Sequence, residues 1–126
     1  MNIESFRDHC IGIKGATESF PFIDPNVLVF KVMGKMFAYI DIAPKDGVFR
    51  ACMKCDPERS VALRAEYAGV TSGIHTPHAA WNAVYLESDV PDTLIAELIK
   101  HSADEVISHL PKKRQQAYHN SIATAP

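Results

Sequence analysis

Cys52-Met53-Lys54-Cys55 and His75-Thr76-Pro77-His78 are the stretches of this 126-residue chain whose residue types and spacing could do chemistry. A C-x-x-C beside an H-x-x-H suggests a tetrahedral Cys2His2 zinc site. The local geometry argues against it. Val48 to Lys54 reads as a strand, and strand residues three apart point to opposite faces, about 10 Å apart along the chain. Zinc needs each sulfur at about 2.3 Å, so the strand would have to become a knuckle. A thioredoxin-like pair belongs at a helix N-terminus, whereas these cysteines precede the cap. Cys55 with His75 or His78 would make a nucleophile and base, but nothing in the sequence supplies an oxyanion site. The expectation is no metal, no cofactor and no enzyme.

Basic and aromatic side chains carry a different chemistry. Strand alternation puts Lys31 with Val27 and Val29, Tyr39 with Phe37 and Asp41, and Arg50 with Cys52 and Lys54. If helices cover one face of the sheet, the other is left with Lys31, Tyr39, Arg50 and Lys54, with Trp81 and Tyr85 beside them. Cations interleaved with aromatic rings grip phosphate and stack bases. The plain alternative is a solvated face whose lysines discourage edge pairing. Lys112-Lys113-Arg114 forms a second basic cluster after the last expected helix, where cations meet a negative dipole end. The candidate nucleic-acid contacts are therefore Lys31, Lys35, Arg50, Lys54, His75, His78, Trp81, Asn82, Lys112, Lys113 and Arg114.

These residues need elements to hold them. The pivot is the junction at Asp56-Pro57-Glu58, where a strand meets an N-cap, a proline at the first helical position and a first-turn acid. The helix that follows is expected over Pro57 to Ala68, with Gly69 ending it in the left-handed conformation. Before it, Asn2 caps a first helix with Ile3, Phe6, Cys10 and Ile13 on one stripe. Ala16 to Asn26 reads as a connector tacked down by Phe20 and Phe22. Val27 to Val32 and Lys35 to Ile42 flank Met33-Gly34, a hairpin signal, and the strand from Val48 completes a three-stranded meander. After the second helix come a loop with or without a short strand over Val70 to Ala80 and a strand over Trp81 to Leu86. A long amphipathic helix runs from Pro91 to Pro111. Residues 1–114 form one domain, and 115–126 read as a mobile C-terminal tail.

Composition sets the class. With 47% hydrophobic and 22% charged residues the chain is an ordinary globular domain. A net charge of −2 supplies no global field for phosphate, so polyanion binding must come from a local patch. Three cysteines without a secretory leader point to reduced thiols in the cytoplasm, and no apolar run approaches a membrane span. A monomer is expected.

Phe20-Pro21-Phe22, Val29-Phe30-Lys31-Val32, Gly34-Lys35-Met36-Phe37-Ala38, Lys54-Cys55-Asp56-Pro57-Glu58, Gly73 with His75, Trp81-Asn82 and Leu110-Pro111-Lys112-Lys113 occur in an order that resembles the MmcQ/YjbR family. The resemblance spans about residues 2 to 113. It departs at Ile74, where the family often has tyrosine, and at His78-Ala79-Ala80, where it often has lysines. The resemblance implies an α+β fold with an antiparallel sheet in α-β(3)-α-β(2)-α order, akin to secretion-chaperone-like proteins. It also implies DNA binding of a double-wing type without enzyme activity. Three functions follow as expectations: a DNA or polyanion module, a protein or peptide module using an apolar sheet surface, or a small-molecule site or enzyme at His75, His78, Trp81 and Asn82.

Overall fold

The computed structural model describes residues 1–73, 76–77 and 79–121. Its elements are α1 (Ile3–Ile11), β1 (Thr17–Ser19), β2 (Val27–Val32), β3 (Lys35–Asp41), β4 (Arg50–Lys54), α2 (Pro57–Glu66), β5 (Val70–Ser72), β6 (Trp81–Tyr85), α3 (Asp92–Ser108) and α4 (Lys112–Asn120). The six strands form one antiparallel sheet in the order β1-β2-β3-β4-β6-β5. The α+β class and the β2–β3–β4 meander agree with the sequence reading. Among the described residues, no helix is long and apolar enough to cross a membrane.

Local chemistry explains where the elements begin and end. Met33 and Gly34 both take positive φ, 52° and 76°, which is what a two-residue hairpin turn needs to match the strand twist. Asn2 Oδ1 accepts from Ser5 N–H at 2.8 Å and opens α1. Asp56 Oδ2 does the same for Arg59 N–H at 3.0 Å and opens α2 at Pro57. Asp56→Ala is expected to cost about 1 kcal/mol, the usual loss for an N-cap. A thermal melt left unchanged by that substitution would show that α2 is held by packing alone.

Four local readings need correction. Helix α2 stops at Glu66, with Tyr67 extended, and Gly69 is not left-handed. The chain there is fixed by Asp89, whose carboxylate accepts from Ala68 and Gly69 N–H at 2.8 and 2.7 Å. A side chain at Gly69 would collide with Ser88 Oγ at 2.1 Å, so close approach rather than φ demands glycine. The connector contains β1, which pairs with β2. The stretch from Gln115, read as a mobile tail, is helical as far as Asn120, and Tyr118 Oη donates to Lys14 carbonyl at 2.8 Å. Lys112-Lys113-Arg114 consequently opens a helix instead of trailing one, so its cations meet the positive dipole end.

Helix α3 lies across β2, β3 and β4, with α1 beside it. The core between them holds Phe6, Phe30, Phe37, Ile40, Met53, Ile95 and Ile99, all essentially inaccessible. Phe6 meets Phe30 edge-on at 6.0 Å, and Phe37 lies 6.4 Å from Phe30. Simple alternation would put Phe37 on the other face with Tyr39. A register shift between Phe30 and Lys31 breaks the alternation, because Phe30 pairs with Ala38 but Lys31 pairs with Met36. The unpaired Phe37 joins the core, and Lys31 keeps its place opposite.

Candidate functional site

The registers assign the second face of the sheet residue by residue. Val29, Tyr39, Cys52 and Ala83 form one cross-strand row. Val27 with Asp41 and Arg50 with Tyr85 lie toward one end, and Lys31 with Met36 and Lys54 with Trp81 toward the hairpin tip. Helices α1, α2 and α3 pack on the opposite side, through Phe6, Leu63 and the apolar stripe of α3. The second face is free of those helices, and the loops at its margins supply its walls.

Cations gather at the hairpin-tip end. Lys31 and Lys54 stand about 10 Å apart across β3, two strand spacings. Lys54 Nζ lies 5.7 Å from the Trp81 ring centroid, a cation–π distance, and Trp81 is 5.7 Å from the Tyr39 ring. Lys35 is exposed just past the turn, but it pairs with the core residue Val32 and so lies on the other side of the tip. Arg114 Nη2 donates to the Met33 carbonyl at 2.9 Å, which ties the first turn of α4 to the same tip. Lys112 and Lys113 are exposed there. Among the described residues, none of Lys31, Lys35, Lys54, Lys112 and Lys113 has a carboxylate within 4.0 Å, whereas Arg7, Arg50, Arg59 and Lys100 each do.

The other end of the face is acidic. Arg50, expected among the phosphate contacts, is clamped by Asp46 through Nη1 and Nη2 and lies 5.0 Å from the Tyr85 ring centroid. Hydrogen bonding to Arg50 holds the Asp46 carboxyl below its usual range, and the Arg50 pKa is raised by the same bond. The pair is neutral as a unit. Asp24 and Asp41 add carboxylates around an apolar floor of Val27, Tyr39 and Cys52. This floor continues past Tyr39 to Met36, Phe22 and Thr76, making two open compartments of about 200 and 360 Å³. Tyr39 Oη lies 3.3 Å from Thr76 Oγ1. Burial raises the Tyr39 pKa, opposed by the bond to Thr76 and reinforced by Cys52.

Several candidates are not brought together. Trp81 is only 6% exposed, with Lys54 and Tyr39 both near its ring, so the ring is no open stacking platform. Asn82 points to the opposite, helix-covered face. Its Oδ1 accepts from Arg64 Nε at 2.8 Å and its Nδ2 donates to Ser60 Oγ at 3.2 Å, which makes it a buried tie between β6 and α2. A pocket shared by Trp81 and Asn82 is therefore not formed. His75 and His78 lie outside the described residues. The two C-x-x-C thiols diverge as strand geometry requires, Cys52 beneath Tyr39 and Cys55 in the core cluster. Burial pushes the Cys55 thiol up, against what a nucleophile needs. Among the described residues, no group of three or more metal-capable side chains converges. Asp24 was not readable as a site residue from sequence, because it sits in an irregular connector. Asp41 was, since alternation places it with Tyr39.

The family model described as YjbR matches residues 11–104. YjbR of Escherichia coli K12 is 26% identical over 117 residues, covering 92% of this chain and 96% of the relative. YbdF of Escherichia coli O157:H7 is 28% identical over 102 residues, covering 76% and 82%. The crystal structure of Deinococcus radiodurans protein DR2400, with family-model domain DUF419, superposes with a TM-score of 0.84 at 29% identity, over 98% of this chain and 91% of the other. A Pseudomonas syringae protein shares the fold with a TM-score of 0.71 at 24% identity, over 83% and 98%.

Proposed function

We propose, for a chain that belongs to the YjbR family, that it is a cytoplasmic, monomeric binding module for DNA or another polyanion, engaged through the hairpin-tip end of its helix-free sheet face. One observation carries the reading. Among the described residues the lysines gathered there have no carboxylate within 4.0 Å, while Arg50 at the far end is neutralised by Asp46. A lysine without an internal counter-ion keeps its charge available to an external one. Lys31 and Lys54 stand on that face, Lys35 projects from the other side of the same tip, and Arg114 ties the first turn of α4 to it. The first turn of α4 adds its dipole to that field.

The contacts are to phosphate. Trp81 is buried beneath Lys54, so base stacking has no accessible ring there, and the binding is insensitive to sequence. Three or four phosphate contacts give a log–log salt slope near −3 on duplex DNA, at about −0.9 per contact. The affinity falls in the ~10⁻⁴–10⁻⁶ M range of non-specific complexes at physiological salt. The test is a fluorescence-anisotropy titration of labelled duplex at several salt concentrations. No binding at about 50 mM salt and about 100 μM protein, where the counterion contribution is near its strongest, would overturn the reading.

A further inference from the structure

We propose that the acidic end of the helix-free face is a docking groove for an extended peptide. Its inward-facing side chains would be one arginine or lysine followed by apolar residues. The groove is continuous, because its two compartments share Asp24, Val27 and Tyr39. It follows β3 from Asp41 to Met36, about 16 Å at the usual strand rise, which matches four or five extended residues. This site adjoins the polyanion surface at Met36, the partner of Lys31, but its charge has the opposite sign and it does not depend on that reading.

Charge complementarity selects the occupant. Asp24 Oδ1 accepts from Asn26 N–H at 2.9 Å and Asp41 Oδ1 from Ala43 N–H at 2.8 Å. These local bonds fix both carboxylates at the groove, and neither has a cation within 4.0 Å among the described residues. Arg50, the cation of the lining, is already held by Asp46. The groove therefore repels phosphate and attracts an ammonium or guanidinium. Its other compartment is apolar, with Val27 and Met36 along it and Phe22 at the rim. Phe22 is 50% exposed and the adjoining Ile23 is fully exposed. Apolar surface standing outside a polar-rimmed groove is what a macromolecular segment covers, and a ligand confined to the floor would leave it wet.

The experiment is an anisotropy titration of the full chain with fluorescein-labelled Arg-Ser-Leu-Ser-Leu, whose alternate residues face one way when extended. The same peptide with glutamate in place of arginine is the control. The arginine probe is expected to saturate and the glutamate probe to bind about tenfold more weakly or not at all. D24N/D41N retains both local acceptors, so the fold is kept. It should weaken the arginine probe by about tenfold and leave the glutamate probe no weaker. Phe22→Ala should also weaken the arginine probe. DNA binding should not weaken in D24N/D41N, so failure of either site leaves the other measurable. The proposal is overturned if the arginine probe does not saturate, if D24N/D41N binds it as tightly as the parent, or if NMR shift changes spare Asp24, Val27 and Asp41. A labelled arginine amide binding as tightly as the five-residue probe would also overturn it, in favour of a small organic cation.

Discussion

Phe30→Ala is expected to cost about 3–5 kcal/mol, the range for removing a buried phenylalanine and leaving its cavity. Phe30 is inaccessible at the centre of β2, with the Phe6 ring against its edge and Phe37 on its other flank. Its cross-strand partner is Ala38, whose methyl is too short to refill the space. A domain with a total stability of about 5–15 kcal/mol keeps little reserve after such a loss. Urea denaturation should show a lower midpoint with an unchanged slope, since the surface exposed on unfolding is nearly the same. Phe22→Ala, on the half-exposed connector, should stay within about 0.5 kcal/mol. A Phe30→Ala loss below about 1.5 kcal/mol would mean that the aromatic trio is not the packing centre of the sheet.

The elements legible in the sequence are those whose own side chains announce them. Met33-Gly34 between two β-rich runs specifies the hairpin, and the Asp56-Pro57 pair marks the start of α2 because cap and proline chemistry is local. Strand β1 escapes because Thr17, Glu18 and Ser19 are all exposed, so no alternation reveals them. It is held instead by pairing to β2 and by the Arg7–Glu18 ion pair, a contact from α1. Helix α4 escapes because none of its residues is fully buried and Tyr118 is its one apolar contact with the core. Its anchors, Arg114 on Met33 and Tyr118 on Lys14, are distant in sequence. Alternation carried Lys31, Tyr39, Arg50 and Lys54 to the correct face, yet it misassigned Phe37 because a bulge has no period. It was equally silent on what each side chain meets there. That Asp46 neutralises Arg50, that Lys54 closes over Trp81, and that Asn82 is spent on Arg64 and Ser60 are tertiary facts.

Those tertiary facts change which substitutions should alter polyanion binding. Lys31→Gln, Lys35→Gln and Lys54→Gln should each reduce the salt slope on duplex DNA by about 0.9, one phosphate contact apiece. At about 50 mM salt each lost contact forgoes roughly tenfold in affinity, so the triple variant should bind about a thousandfold more weakly. Glutamine removes the charge while keeping the first two methylenes of the stem, which limits the loss of packing. The opposite outcome is expected at the far end of the face. Removing Arg50 and Asp46 together deletes a pair that is already neutral, so Arg50→Ala/Asp46→Ala should leave the slope unchanged. Arg50→Ala alone strips the counter-ion from Asp46 and should weaken binding slightly through the uncovered carboxylate. Trp81→Phe keeps a ring beneath Lys54, and with no exposed stacking surface to lose it should leave single-strand and duplex affinities in the same ratio. A double Arg50/Asp46 variant that loses one unit of slope, or lysine variants that lose none, would move the phosphate track away from the hairpin tip.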